Sequence, residues 1–422
     1  MPPLLDRWLH RLTPDPVERT NLFWMVVAGL TGTTGVVLIS GPVLQTFLVE
    51  VGLSESQIGI HGSIAAAASA AGMLGLMGVP DRIKRRVRAL VFFGVFVGLE
   101  AVVLAALALL DNDARSPTLV FAAIVAVAIV VQPMNSLVNM VTPAVLVRIV
   151  RVKIRGRFIG ISGLLIGLAA LVMGLAIAQI LATVGYPLGY ALCFTLAVPL
   201  IVGGGLACSP LRESIEVAGP SGRSSAFPWS ALREVLRMKE FWLLLAPNVL
   251  RGLGASTVFF SWIVGLKRLD LPPAHVGLAA TVEAAAGTIL GSIIIGLYAD
   301  RWGAGRLLFA SGVLMALALI GMVLTSSSWL FLAFFSVLVL GTSIEGKGVP
   351  LATYELVPST QIGAFNGARL MLLSGSMAIS MPLVGKLLEE TDPLPVMAAG
   401  AAIKVVMGAL YWFALRRRVA VE

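Results

Sequence analysis

Gly296-Leu297-Tyr298-Ala299-Asp300-Arg301-Trp302-Gly303, closed by Arg306, is a charged turn set between two long apolar runs. A weaker copy stands half a chain earlier, where Asp81 is followed by Arg82, Lys84, Arg85 and Arg86. Other marks recur at nearly the same offset: Phe23 and Trp24 as Phe241 and Trp242, and Ile58 and Gly59 as Val276 and Gly277. Pro143 matches Pro350, and Gly156, Phe158 and Gly160 match Gly363, Phe365 and Gly367, at an offset shortened by the smaller loop of the second copy. One apolar module is therefore written twice, in parallel.

Composition selects the solvent. With 58% hydrophobic residues, 13% charged and a mean hydropathy of +0.94, the chain lacks the charged exterior that a water-soluble domain needs. A spanning helix takes about 20 apolar residues, and twelve such stretches are predicted, near 22–49, 57–80, 89–110, 118–147, 158–181, 188–208, 241–266, 275–299, 306–325, 329–354, 362–387 and 394–415. A lipid-facing β-barrel alternates apolar and polar positions, whereas Leu119 to Val131 is apolar on every side. The expected fold class is an all-α membrane protein of twelve transmembrane helices in two pseudo-symmetric six-helix halves. Its predicted parts are a cytoplasmic amphipathic segment (1–21), a first bundle (22–208), a central linker (209–240), a second bundle (241–415) and a tail (416–422).

Charge placement sets the expected orientation, because Lys and Arg are retained on the cytoplasmic side. The side holding both termini carries 23 of the 31 basic residues, and the opposite side carries four: Arg115, Lys267, Arg268 and Lys386. Both termini are accordingly expected in the cytoplasm, in a multi-pass plasma (inner) membrane protein. The net charge of +9 is what such a topology demands; it implies lipid headgroups as partners and no nucleic acid. Met1 to Asn21 lacks the apolar core of a cleavable signal, and Leu4, Leu5, Trp8, Leu9 and Leu12 share one face of an interfacial helix. Gly219, Pro220, Ser221, Gly222 and Ser224 mark the linker, with a short surface helix expected over 229–239. Cys193 and Cys208 offer neither a metal spacing nor a disulfide framework. No cofactor or metal is implied, and the stretches outside the spans are too short for a catalytic domain, so the chain is not expected to be an enzyme.

Taken together, the twelve spans, the Gly-x-x-x-Asp-Arg-x-Gly turn at 296–303 and the long central loop resemble the major facilitator superfamily over nearly the whole chain. The first copy of the turn departs from that pattern: Met77 stands at the first Gly position, Pro80 precedes Asp81, and Lys84 replaces the second Gly. An Asp at a helix end followed by Arg can latch one half to the other when that side closes. The expected cytoplasmic gate comprises Asp81, Arg82, Arg148, Gly296, Asp300, Arg301, Gly303 and Glu355, with Arg148 and Glu355 the partners of Asp81 and Arg301. The Gly156–Gly160 and Gly363–Gly367 turns allow close helix approach.

A charge in hydrocarbon is costly and persists only when paired or facing water. The resemblance implies that the first, fourth, seventh and tenth spans line a cavity, with the second, fifth, eighth and eleventh beside them. In the second half these hold Arg251, Glu283, Glu345, Lys347 and Arg369; the first half offers Thr31, Thr33, Thr34, Gln45, His61, Gln132, Asn135 and Asn139. By depth, Arg251 is level with Glu283, and Glu345 with Arg369, so those are the expected ion pairs, and Lys347 is left as an unmatched cation. That arrangement favours an anionic or zwitterionic substrate. Alternatively, Glu345 or Glu283 lacks a cation in one state and takes up a coupling proton. Candidate substrate-binding residues are Arg251, Lys347, Asn248, Gln132, Asn135, Asn139 and Thr34; proton-coupling candidates are Glu345 and Glu283, with Arg369 as ion-pair partner. Glu100 and Lys404 fall on spans that the resemblance places at the periphery, and a lone His61 on an Ala-rich helix reads as a packing residue.

The expected function is secondary active, proton-coupled transport of a small organic solute by alternating access, carried out by a monomer. A proton-antiport exporter of amphipathic compounds is one alternative. Phe259, Phe260 and Trp262 suit its apolar cavity, although the fifth span, with Gly160, Gly163, Gly167 and Gly174, has no Pro. A membrane receptor or scaffold without flux is the other, and two copies of a latch argue against it.

Overall fold

The computed structural model describes residues 13–76, 86–110, 116–150, 152–212, 233, 235–357 and 362–419. Among them, twelve helical stretches are long and apolar enough to cross a membrane: Pro16–Glu50, Glu55–Gly75, Val87–Leu109, Pro117–Thr142, Gly160–Val184, Leu188–Leu206, Lys239–Leu269, Pro273–Tyr298, Arg301–Leu324, Ser328–Thr353, Phe365–Glu390 and Pro393–Arg416. They are numbered here as spans 1 to 12. In hydrocarbon each backbone amide must find its partner within the protein, which is why the spanning chain is helical apart from one break in span 1 among the described residues.

The first span differs from expectation at both its start and its middle. Asp15 caps it, accepting from Val17 N at 2.9 Å, so the helix takes in residues 16–21; Leu4 to Leu12, the apolar face of the expected interfacial helix, lies outside the described residues, as does most of the linker. Asn21 then exchanges two 2.8 Å hydrogen bonds with the backbone of Arg212, tying the start of span 1 to the end of span 6. In the middle, span 1 is broken: helix runs Pro16–Val37 and again Gly41–Glu50, with Gly41 at a φ of 53°. Span 8 is irregular too, running as α-helix over Pro273–Val282 and as π-helix over Glu283–Leu290. Beyond it the turn between spans 8 and 9 rests on Gly303, whose φ of 71° only Gly adopts readily.

The duplication is legible in the packing. Within the first half, span 1 packs on spans 5 and 6, span 2 on span 4, and span 3 on spans 4 and 6. Each of these contacts has its counterpart six spans later: 7 on 11 and 12, 8 on 10, and 9 on 10 and 12. The two halves meet along spans 2 and 11 and along spans 5 and 8, again a symmetric pair of seams.

These seams are tight at the face opposite the termini and open at the terminal face. A Cβ added at Gly59 or Gly62 would collide with Met381, one at Gly385 with the Glu55 carbonyl, one at Gly174 with Thr281, and one at Gly277 with the backbone of Ala178. Toward the terminal face, Gly75, Gly160, Gly163 and Gly296 have no atom within 4 Å of where a Cβ would stand. Small residues permit the backbone approach that helix association in lipid relies on; here it is closest toward the face opposite the termini, although Gly167 of span 5 still meets Ile289 of span 8 nearer the terminal face. Among the described residues, the seams are thus closed at the far face and looser toward the face of the termini.

Overpacking a tight crossing costs about 1–3 kcal/mol. Gly277→Val is therefore expected to raise, by about tenfold or more, the far-side labelling of a Met381→Cys reporter by a membrane-impermeant maleimide, in a Cys193→Ser, Cys208→Ser background. Unchanged labelling would remove this seam from the far-face closure.

Candidate functional site

Charge within the spans is concentrated in the second half. Glu345 of span 10 is buried at 4% exposure and uses both carboxylate oxygens: Oε1 accepts from Arg251 Nε of span 7 at 2.6 Å, and Oε2 from Lys404 Nζ of span 12 at 2.7 Å. This corrects the pairing read from depth. Arg251 bonds Glu345 rather than Glu283, because rise along a helix gives a level but not the face on which a side chain points. It also corrects the placement of Lys404, which is 1% exposed and central to the cluster. Its stem crosses span 7 at Gly254, where an added Cβ would stand 3.0 Å from Lys404 Cε. The sequence signal for this was the Lys itself, since a cation so deep in an apolar span needs an acid within reach.

Arg251 is engaged only through Nε. Its two terminal nitrogens make no hydrogen bond among the described residues and are not sealed from solvent, and its side chain keeps 13% exposure beside 5% for Glu345 and 2% for Lys404. Beside it, Asn248 is filled by the protein, its amide donating to Leu244 O at 2.7 Å and accepting from Tyr411 Oη at 2.9 Å. Arg369 of span 11 does not pair with Glu345 in the expected way; its Nε donates to Asn366 Oδ1 at 3.3 Å.

The π-helical part of span 8 organises two more candidates. Lys347, expected as an unmatched cation, donates to Ser292 Oγ at 2.6 Å and reaches the Gly287 and Thr288 carbonyls at 3.4 and 3.5 Å. A π turn leaves carbonyls out of the ordinary ladder and often marks a functional position. At the head of that segment, Glu283 has no hydrogen bond or ion pair among the described residues. Its carboxyl lies against the break in span 1, where a Cβ on Gly41 would stand 3.1 Å from Oε2 and 3.3 Å from Oε1. The residue opening the second part of span 1 thus carries no side chain where a carboxyl needs the room.

In the first half, Thr34 and Thr31 bond back to carbonyls of their own helix. Gln132 and Asn135 of span 4 are half-buried and Asn139 is exposed, and Ser136 beside them bonds Ser69 of span 2. The expected exporter aromatics are spent on packing: Phe260 and Trp262 are sealed in the core, and Trp262 Nε1 donates to Thr46 Oγ1 at 3.0 Å across the halves.

A family model described as the Major Facilitator Superfamily matches residues 248–422, the stretch that begins one turn before Arg251 and holds every member of the charged cluster. The second half of the chain is thus similar to the major facilitator superfamily. Solved transporter structures superimpose over nearly its whole length: the nucleoside transporter NupG (a variant; 14% identity, 93% of this chain and 99% of that one, TM-score 0.69), a D-xylose-proton symporter (14%, 94% and 96%, 0.67) and the human organic anion transporter TETRAN (14%, 94% and 100%, 0.64). No curated protein matches the chain by sequence. These likenesses show that the chain has the fold of solved transporters. Of the superfamily turn, Arg301 is exposed and Gly303 supplies the bend. Asp81 and Arg82 lie outside the described residues, as do the side chains of Arg148, Asp300 and Glu355, so the terminal-face latch is an expectation only.

What sequence reading missed is the far-face closure. Lys267 of span 7 pairs with Glu55 of span 2 at 2.5 Å, Glu389 of span 11 accepts from Ser56 N at the head of span 2 at 3.3 Å, and Gln45 of span 1 donates to Phe259 O of span 7 at 2.9 Å. Each bond crosses between the halves. An acid such as Glu389 beside a helix N-terminus satisfies amides that the helix leaves free, but it is remote in sequence from the helix it serves.

Removing the acid of a buried charge cluster strands its cations, a cost of about 3–5 kcal/mol. Glu345→Gln is expected to lower the melting temperature in detergent well below that of the parent, and Glu345→Gln with Lys404→Met to recover part of the loss. A double variant no more stable than the single would show that Lys404 does not depend on Glu345.

Proposed function

We propose that this transporter carries a small organic anion across the plasma membrane by alternating access, coupled to protons, with both termini in the cytoplasm. The observation that carries the reading is the free pair of terminal nitrogens on Arg251. A guanidinium with both terminal N–H groups available is suited to grip a carboxylate or phosphate through two parallel hydrogen bonds. Glu345 does not cancel this charge, since Lys404 already offsets it and the three groups together remain net positive. Lys347 and Arg369 add to the positive potential of the second half. The substrates named for the similar structures differ among themselves, a nucleoside, a sugar and an organic anion. The substrate class is therefore argued here from the cluster.

Proton coupling is assigned to Glu283 rather than Glu345. Glu345 is held as an anion by two cations, whereas Glu283 has no cation among the described residues and lies at the far-face junction between the halves. A buried carboxyl in that position is tolerated when neutral or when water reaches it, which are the two conditions that an opening and closing junction supplies in turn. The basic bias of the terminal side supports the orientation, and with it the described state is inward-open.

The test is solute-driven proton movement in proteoliposomes, with organic anions, sugars and lipophilic cations offered in turn. Anions are expected to trigger it, and Arg251→Lys to cut the apparent affinity by about 10- to 100-fold, the worth of one or two charge-assisted hydrogen bonds. Glu283→Gln is expected to abolish accumulation driven by a pH gradient while leaving anion exchange between the two sides. Proton movement triggered only by lipophilic cations would overturn the anion reading, and pH-driven accumulation surviving Glu283→Gln would move the coupling site.

A further inference from the structure

We propose that Lys404, on span 12, is the positioning residue of the anion site: by occupying Glu345 Oε2 it confines Arg251 to a single bond through Nε and so keeps the two terminal nitrogens free for the substrate. The inference rests on the reading of Arg251 as the anion-binding group and adds to it the reason that the group is available.

The argument starts from what a carboxylate beside a guanidinium ordinarily does. Left to itself, such a pair closes bidentately, two parallel N–H bonds meeting two oxygens, because that geometry satisfies more donors and more lone pairs. In a buried site with little competing water the preference is stronger still. Here it is not realised. Glu345 meets Arg251 through Oε1 and Nε alone, at 2.6 Å, because Oε2 is turned toward Lys404 Nζ at 2.7 Å. Lys404 has no comparable freedom to leave. It is 1% exposed, its stem lies in the groove made by Gly254, and the backbone at its own position packs against Gly312 of span 9. Glu345 is fixed in turn, with 5% side-chain exposure and both oxygens used. The most exposed member of the three is Arg251, and the pair of nitrogens that Glu345 leaves alone is not sealed from solvent. Span 12 thus acts on Arg251 through Glu345.

Removal of the ammonium has a definite consequence. With Oε2 released, Glu345 rotates onto Arg251 and takes a terminal nitrogen as well as Nε, so that the guanidinium is spent internally although its residue is unchanged. Removing the Glu345 charge in addition frees the guanidinium again. A role in packing alone predicts neither the loss nor the recovery.

The experiment is site-resolved labelling of Arg251 with p-hydroxyphenylglyoxal, a reagent for free guanidinium groups, on the full chain in detergent, quantified by mass spectrometry of the Arg251 peptide. Relative to the parent, Lys404→Met is expected to slow labelling by about tenfold, Lys404→Arg to retain the parental rate, and Lys404→Met with Glu345→Gln to restore it, a pattern of coupling rather than additivity. If Lys404→Met does not give a monodisperse protein, Lys404→Gln is measured in its place, with the same expectation. An unchanged or faster rate in the single variant would overturn the proposal, as would a double variant that stays slow. Benzoate and inorganic phosphate are then offered as protectants: failure of both to shield Arg251, with the variant pattern intact, would overturn the anion reading of the function and leave the positioning role of Lys404 standing.

Discussion

A chain whose solvent is hydrocarbon must satisfy its own backbone amides and find a partner for each charge it buries, and the rest of this structure follows from how it meets that constraint. Regular helix meets it at no local cost, so departures from regular helix need other groups nearby. Two departures occur at the same junction. Span 1 is interrupted between Val37 and Gly41, and span 8 passes through a π segment from Glu283 to Leu290. They face one another: Glu283 lies against Gly41, and on the other side of the π segment Lys347 collects the Gly287 and Thr288 carbonyls. Irregular backbone at membrane depth is tolerated where it is buried in protein or lines a water-filled space, and here it is confined to the surface between the halves.

The two halves share packing but not chemistry. Each helix contact of the first half recurs in the second, so the scaffold is a duplicate in the physical sense as well as in sequence. The charges are not duplicated. Arg251, Glu345, Lys347, Arg369 and Lys404 all fall in the second half, while the corresponding spans of the first carry Thr, Ser and amide side chains that largely bond to their own helices. Duplication fixes where the halves pivot, because the seams along spans 2 and 11 and spans 5 and 8 are set by symmetric small-residue contacts. Divergence has placed the buried charges of the described spans mainly in one half, the half to which the proposed function assigns recognition.

This division also explains what was legible in the sequence. Span number and the duplication were readable because they are one-dimensional: an apolar run of sufficient length, or a turn such as Gly296 to Gly303, carries its meaning in order and spacing. The members of the charged site were readable singly, since a Lys or Glu inside an apolar run stands out. Their pairing was not. Arg251 and Glu283 are level in depth, yet Arg251 turns to Glu345, because which face of a helix a residue presents depends on the rotation of that helix against its neighbours. Lys404 was set aside through the same gap: assigning its span to the periphery describes the helix axis, whereas a lysine stem crosses a whole helix diameter when a residue such as Gly254 leaves it a path. The break at Leu38 to Ser40 is marked in the sequence by Ser40-Gly41-Pro42, a helix-start signal inside an apolar run, whereas the π segment has no sequence pattern that separates it from regular helix. Both are held by tertiary partners remote in sequence.

On the proposed transport reading each closed state has to be left again, and the far-face closure is built from interactions weak enough to allow it. The Lys267–Glu55 pair is partly solvated, with 45% of the lysine side chain exposed, and pairs of that kind contribute about 0–1 kcal/mol. Glu389 on Ser56 N and Gln45 on the Phe259 carbonyl are single hydrogen bonds, each worth about 0.5–1.5 kcal/mol net and up to about twice that for a charged acceptor. The seam of small residues adds dispersion contacts that are lost gradually as the helices part. The buried Glu345 cluster, by contrast, lies wholly within the second half and does not have to break when the halves move. The strong interactions hold the second half together and the weak ones join it to the first, so the rocking motion that the proposed function requires would separate the halves without dismantling the charged cluster.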